Sequence, residues 1–377
     1  MNFACTQENL LQGLSLVSHI AGKNANLPIL GNVLLKTENG GLKLSTTNLE
    51  MAVSAMVRGR VEQAGEYTVP AKLLQDYISL LPSGKVELVV TEQGLDVRAD
   101  GSSTTVRGMP SSEFPLIPRL AKGGGFRLNA ETLRTAIGQV AFAVSASESR
   151  PELSGVACFF HGFDVANKVT MVATDSYRLA ERIVELENGS SPQEAKCIVP
   201  ARVMQEIGRI LTSYKDDVGM PEAVEWSLTD SQMVVTYGSV ELISRLIEAS
   251  FPDYRQIIPA KFTTKVMVAR GELSKAIRAA SLFAKQGLFD VHFEVSEGSL
   301  RVSSSDSGTG SHATVLKVQT EGESEKKVTM NYRYVADGLA VMGSDKVTLN
   351  LIDGMNPVAV TPAEGDGYRY IVMPIRQ

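Results

Sequence analysis

What this chain lacks narrows its function first. No run comes near the eighteen or so uninterrupted apolar residues that a membrane-spanning helix needs. Cysteine is scarce: Cys5, Cys158 and Cys197 are odd in number, widely separated and without a CxxC pair. That pattern excludes a disulfide framework and a zinc site, and it suits a reducing compartment. The four histidines, His19, His161, His292 and His312, show no metal-ligand spacing, and GxSxG, HExxH and any aspartate cluster able to hold two metals are missing. A basic leader with a cleavage site is absent as well, so "MNFACTQENLLQGL" reads as structure. No metal or cofactor is expected, and the chain reads as a non-enzyme of the cytoplasm. Nor is there an excess of positive charge. The net charge of −5 argues against a protein that simply coats nucleic acid, so any such role rests on where the charges lie.

What is present is repetition. At 377 residues, 44% apolar and 21% charged, the chain is a globular protein of two or three domains. "QENLLQGLSLVSHIA" (7–21), "AETLRTAIGQVAFAV" (130–144) and "GELSKAIRAASLFAK" (271–285) share one apolar stripe. Leu10, Leu14 and Val17 match Leu133, Ile137 and Val140, then Leu273, Ile277 and Ala280, the buried face of an amphipathic helix. Glu8, Glu131 and Glu272 sit in the first turn, complementing the helix dipole. A second helix follows in each copy: "VPAKLLQDYISLL" (69–81), "VPARVMQEIGRIL" (199–211) and "NYRYVADGLAVM" (331–342). Pro70 and Pro200 fall at the first helical position of two copies and Asn331 is the expected N-cap of the third. Between the helices the sequence alternates with period two, as in Met51, Val53, Ala55 and Val57, or Val169, Met171 and Ala173. "ENGG" (38–41) and "EGS" (297–299) mark hairpins, hence mainly antiparallel sheet. The expected fold is α+β: a helix–antiparallel-sheet module repeated three times, about 125 residues apart. "AKGGG" (121–125) and "PAKFTTK" (259–265) read as linkers, giving domains 1–124, 125–258 and 259–377. The glycine triplet has no following Lys-Ser/Thr and is a linker, not a phosphate loop. Asn48, Asp175 and Asp306 hold corresponding places after a strand and read as Asx caps rather than general bases.

"LPILGNVLL" (27–35), "VPAKLLQDYISLLP" (69–82), "ATDSYRLA" (173–180), "FPDYRQIIP" (251–259) and "YIVMPIRQ" (370–377), in this order, resemble the bacterial DNA polymerase III β subunits, the sliding clamps, over the whole chain. The resemblance implies the DNA clamp fold: a head-to-tail homodimer forming a six-domain ring, its helices lining the hole. It implies a processivity factor that encircles double-stranded DNA without sequence preference, slides, and tethers the DNA polymerase III catalytic subunit. A clamp loader and other replication and repair proteins carrying short clamp-binding peptides are the further partners. It also implies a peptide pocket of Leu153, Thr174, Tyr177, Arg178, Leu179, Pro252, Gln256, Ile257, Ile371, Val372, Met373, Pro374, Ile375 and Arg376, with Arg178 and Arg376 holding polar peptide ends. Here Ser176-Tyr177 replaces a glycine-histidine pair, and Gln256 stands where an arginine is frequent.

The six expected helices carry Lys72, Arg134, Arg202, Arg209, Lys275, Arg278, Lys285 and Arg333 against Glu8, Asp76, Glu131, Glu206, Glu272 and Asp337, a net +2 within an acidic chain. Lys72, Arg134, Arg202, Arg209, Lys275 and Arg278 are the expected DNA-facing residues on helices. Lys23, near where family members often carry an arginine, and Arg150, in a loop that lacks the family's usual aromatics, join them. Ring closure is assigned by analogy to Thr104 and Val106 on one side and Leu282 and Phe283 on the other. Two alternatives stay open: a peptide-binding scaffold that does not act on DNA, and a repeat-built enzyme with Asp175, Tyr177 and Arg178 at its site.

Overall fold

The computed structural model describes residues 1–22, 27–118, 125–147, 149–163, 166–214, 219–365 and 367–376. Repeat one runs β1 (Asn2–Thr6), α1 (Gln7–Val17), β2 (Asn32–Glu38), β3 (Gly41–Thr47), β4 (Met51–Val57), β5 (Arg60–Gln63), β6 (Glu66–Pro70), α2 (Ala71–Leu80), β7 (Lys85–Thr91), β8 (Gly94–Ala99) and β9 (Ser102–Val106). Repeat two runs β10 (Phe126–Asn129), α3 (Ala130–Val140), β11 (Gly155–Phe160), β12 (Lys168–Thr174), β13 (Arg178–Glu185), β14 (Ala195–Pro200), α4 (Ala201–Ser213), β15 (Ala223–Leu228), β16 (Gln232–Tyr237) and β17 (Val240–Arg245). Repeat three runs β18 (Thr264–Ala269), α5 (Arg270–Ser281), β19 (Asp290–Ser296), β20 (Ser299–Asp306), β21 (Gly310–Lys317), β22 (Gln319–Gly322), β23 (Lys326–Asn331), α6 (Tyr332–Ala340), β24 (Lys346–Leu351), β25 (Val358–Pro362) and β26 (Tyr368–Val372). Each repeat is thus strand, helix, strands, helix, strands. No helix among the described residues is long and apolar enough to cross a membrane.

The local chemistry explains most boundaries. All nine residues of the apolar stripe are buried. Asn331 caps α6, its side chain accepting from the Arg333 N–H. Pro70 stands one residue before α2, as the last residue of β6 paired with Asn32. The β2–β3 turn places Asn39 and Gly40 at φ 51° and 78°, the left-handed pair that a two-residue hairpin requires. The first helix of each repeat holds its whole stripe but ends before the expected boundary. Residues 18–20 and 141–143 tighten into 3₁₀ turns, and α5 stops at Ser281, whose hydroxyl donates to the Arg278 carbonyl. Lys285 therefore lies beyond α5.

Contacts divide the chain into two compact units. One comprises Met1–Arg134, Leu186–Ser191 and Glu206–Leu246; the other comprises Thr135–Glu185, Pro192–Gln205 and Ile247–Gln377. They do not coincide with the repeats because each holds a sheet that two repeats share. In the first unit an eight-stranded sheet runs β10-β15-β16-β17-β4-β3-β2-β6, so repeats one and two meet at β4 and β17. In the second, a nine-stranded sheet runs β14-β11-β12-β13-β26-β25-β24-β18-β22, and repeats two and three meet at β13 and β26. Smaller sheets complete each unit: β5-β1-β7-β8-β9 in the first and β21-β20-β19-β23 in the second. Every named strand pairing is antiparallel.

Two expectations are revised. Strands β4 and β12 are not half-exposed: Ala52 and Ser54, like Thr170 and Val172, are buried along with their alternating neighbours. These are interior strands of wide sheets covered on both faces. The stretch 259–265 is no free linker. Phe251, Tyr254, Ile258 and Phe262 form a strap that packs on Val172, Leu179, Ala359 and Ile371 of the nine-stranded sheet. The other expected linker, at 121–124, lies outside the described residues. The three cysteines are free thiols, as expected, although Cys158 and Cys197 stand opposite each other on β11 and β14, a pairing their sequence separation conceals.

Helix α6 lies so close to the sheet that a Cβ on Gly338 would collide with the buried Tyr370 ring. That ring cannot yield, because its hydroxyl donates to the Tyr334 carbonyl at 2.8 Å. Gly338→Ala gains up to about 1 kcal/mol of helix propensity but overpacks a filled site, costing about 1–3 kcal/mol. The expected net result is a lower midpoint in urea unfolding; a raised midpoint contradicts this packing.

Candidate functional site

The turn between β12 and β13 organises the site. Asp175 Oδ1 accepts the N–H groups of Tyr177 and Arg178 at 2.9 and 3.0 Å, and its Oδ2 accepts Arg178 Nε at 3.0 Å. The Thr174 hydroxyl donates to the Arg178 carbonyl at 2.6 Å. Ser176 takes φ 79°, a left-handed conformation that costs a serine about 1 kcal/mol or more. The turn thrusts Tyr177 outward, 63% exposed. The chain terminus then runs beside it. After β26, Met373 N–H donates to the Tyr177 carbonyl and Ile375 N–H to the Thr329 carbonyl, both at 2.8 Å. The hydrophobic tip is therefore an ordered continuation of the ladder. Met373, Pro374 and Ile375 are half-buried and Arg376 is exposed.

The pleat of β13 and β26 sorts the expected pocket residues onto two faces. Leu179 pairs with Ile371 and Glu181 with Arg369 on the face beneath the strap, whose exposed Pro252, Gln256 and Ile257 flank the buried Tyr254. Leu153, Thr174, Leu179, Ile371 and Val372 are buried and supply floor and support rather than open surface. Arg178 pairs with Val372 on the opposite face and turns inward, with its side chain 12% exposed. Besides Asp175 it donates to Asp337 of α6 at 2.5 Å and to the Phe142 carbonyl at 3.0 Å. It also lies over the rings of Tyr334 and Phe142, at 4.7 and 5.4 Å. Burial opposes its charge, but Tyr370, Asp337 and Asp175 outweigh burial and hold the guanidinium above its ordinary range. Arg178 is thus a clamp within the second unit rather than an outward hand for a peptide end. Sequence reasoning missed Asp337, Phe142 and Tyr254. Asp337 was traceable, since it matches Glu206 and Asp76 in the other repeats.

The expected DNA-facing cations divide as well. Arg209 is spent internally: it donates to Glu206 and to the carbonyls of Ser15 and Leu16 at the end of α1. Lys72 pairs with Asp76 at 3.3 Å, Arg134 with Glu131, and Arg150 with Glu152 at 3.0 Å and Ser176 at 2.8 Å. Arg202, Lys275 and Arg278 are exposed. Lys23 lies outside the described residues. Of the ring-closing candidates, Val106 is buried, Thr104 and Phe283 are half-buried and Leu282 is 73% exposed. Phe283 stacks on His312 of β21 at 5.9 Å. Strands β9 and β21 each end a sheet, with no strand on their outer side among the described residues.

Three family models cover the chain: the N-terminal domain of the DNA polymerase III beta subunit over residues 1–118, its central domain over 127–253 and its C-terminal domain over 255–376. The chain belongs to the DNA polymerase III beta subunit family. Among its relatives, a beta sliding clamp of Synechocystis sp. is 29% identical over 100% of this chain and 99% of that protein. The crystal structure of the DNA polymerase III subunit beta from Pseudomonas aeruginosa matches with a TM-score of 0.91 at 28% identity, covering 100% of both chains. That of Thermotoga maritima matches at 0.90 and 26%, covering 100% of this chain and 99% of that one.

Replacing Arg178 by Ala strands Asp175 and Asp337 and empties a largely buried position. The expected cost is about 3 kcal/mol, read as a lower denaturant midpoint; a change below about 0.5 kcal/mol, the level of a surface pair, contradicts the clamp role.

Proposed function

We propose that this chain is a processivity clamp. Two copies close head to tail into a six-domain ring around duplex DNA, with domains at 1–124, 125–258 and 259–377. The ring slides freely and tethers the DNA polymerase III catalytic subunit. The clamp loader and other replication and repair proteins dock by short peptides in the groove of Tyr177, Leu179, Pro252, Ile257, Ile371 and the 373–376 tip.

The supporting observation is a junction made twice and left half-made a third time. The strand after the Asx turn of one repeat pairs with the last strand of the next: β4 with β17, β13 with β26. The Asx turns set equivalent positions. Asn48, Asp175 and Asp306 each accept two backbone N–H groups, the second from Met51, Arg178 and Thr309. Met51 faces Ser244 and Arg178 faces Val372. Ser244 is the fifth residue after the β16–β17 turn counting from Val240, and Val106 holds that place after the β8–β9 turn counting from Ser102. The rule therefore sets Thr309 opposite Val106 of a second copy, and Ser311 opposite Thr104. Heterologous contacts of this kind generate rings when the rotation closes.

Side-chain exposure follows the same logic. Val203, Ile207 and Ile210 of α4 are buried, whereas Leu73 and Leu80 at the matching positions of α2 are 55% and 82% exposed. Leu282 is exposed where Phe142 of the second repeat is half-buried against Arg178 and Tyr370; His19 of the first, although exposed, bonds Glu206 at 2.7 Å. Leu73, Leu80 and Leu282 are the apolar surface that the third junction would cover.

Lys23, Lys72, Arg134, Arg150, Arg202, Lys275 and Arg278 face DNA in this reading. Such contacts are few, blind to sequence and salt-sensitive, which suits retention by enclosure. The rival enzyme reading loses its base, since both oxygens of Asp175 are taken by its own turn. In this reading the protein is a non-enzyme that acts in the cytoplasm and needs no cofactor. Leu282→Asp is expected to sediment as a monomer. Wild-type protein loaded on a closed circle should persist far longer than on linear duplex at equal salt. Equal fall-off from both forms, or an unchanged Leu282→Asp dimer, contradicts the proposal.

A further inference from the structure

The strap that walls the groove is poorly supported from below on one flank. There it overhangs a cleft of about 520 Å³ lined by Glu181, Arg255, Ile258, Phe262, Asn350 and Arg369. Of the strap residues packed on the sheet, Tyr254 is the most deeply buried: 4% exposed, it sits among Val172, Leu179, Ala359 and Ile371, and its hydroxyl donates to Glu181 Oε2 at 2.7 Å. Glu181 is itself buried on β13, with Arg369 of β26 at 3.9 Å from its other oxygen. A hydroxyl donating to a carboxylate in a nearly dry site is a strong and directional restraint. Burial, and then the Glu181 charge, keep the Tyr254 phenol protonated far above the ordinary tyrosine range, so the donor persists at any physiological pH. Pro252, Gln256 and Ile257 lie within three residues of this anchor.

We infer that Tyr254 and Glu181 form a latch that sets the height of the groove wall and thereby the affinity for docking peptides. Both are positioning residues, since neither meets the peptide. Releasing the latch lets Pro252 and Ile257 drift from the Leu179–Ile371 floor, so that a peptide must first spend affinity on ordering the wall.

The inference rests on the groove reading, and the experiment separates the two. A fluorescein-labelled decapeptide bearing a glutamine followed by spaced leucine and phenylalanine is titrated against full-length protein by anisotropy. Tyr254→Phe and Glu181→Leu are each expected to weaken binding about tenfold, mainly through faster dissociation. Glu181→Gln, whose amide oxygen still accepts the hydroxyl, should stay within about threefold of wild type. The double variant Tyr254→Phe/Glu181→Leu should bind no worse than either single one, because both remove the same restraint. Thermal unfolding of Tyr254→Phe checks that the fold is intact. Wild-type affinity in Tyr254→Phe, or losses that multiply in the double variant, would overturn the latch while leaving the groove in place. Failure of the wild-type protein to bind the peptide would overturn the groove reading itself.

Discussion

The structure depends on the hydrogen-bonding demand of strand edges. An open edge presents a row of unpaired N–H and C=O groups, and proteins shield, charge or pair it. This chain answers the demand by sharing. The hairpin edge β4 of the first repeat takes β17 of the second, and β13 of the second takes β26 of the third. The edge that gives and the edge that receives differ, and among the described residues β21 of the third repeat and β9 of the first, two of the eight strands that end a sheet, are the ones at the corresponding positions without this junction. In the proposed ring these two edges meet between copies. The second and third repeats also carry, on their second helix, an acid that binds the preceding repeat: Glu206 holds His19 and Asp337 holds Arg178.

The proposed groove draws on the same arrangement. Where β13 meets β26, residues 373–375 continue beside the β12–β13 turn, and the strap joining repeats two and three crosses the sheet above it. The proposed docking surface lies where three separate segments converge, while the inward face of the same strands is locked by Arg178. The corresponding face where β4 meets β17 carries Ser45, Ser54 and Ala52 in place of Val172, Glu181 and Leu179, and a polar cleft lined by Lys43, Arg127 and Glu241. That contrast explains why an apolar peptide would prefer one junction over the other.

Much of this was legible in the chain itself. The stripe through Leu10, Leu14 and Val17, with its two copies, located the first helices, and the Asn48–Asp175–Asp306 correspondence foretold Asx turns because short polar side chains at strand ends satisfy their own backbone. Helix ends were less legible: Ser281 halts α5 by bonding backward, a competition invisible to periodicity. Burial on both faces of β4 and β12 was hidden because neither strand announces which distant strands flank it. The inward turn of Arg178 and the internal bonding of the half-buried Arg209 were hidden for a related reason: a cation's partners, Asp337, Phe142 and the carbonyls of α1, lie far away in sequence. Residue type identified a charge, and only packing decided whether solvent or the protein's own dipoles would receive it.

The central claim is that the junction built at β4–β17 and β13–β26 is built a third time between copies, in the same register. Paired cysteines read that register directly. Residues opposed across an antiparallel pair approach closely enough for a disulfide, while a shift by one turns the side chains to opposite faces. With Thr104→Cys and Ser311→Cys in one chain, mild oxidation should give a covalent dimer in high yield, and Thr104→Cys with His312→Cys should give little. Equal cross-linking of both pairs, or none of the first, would contradict the account.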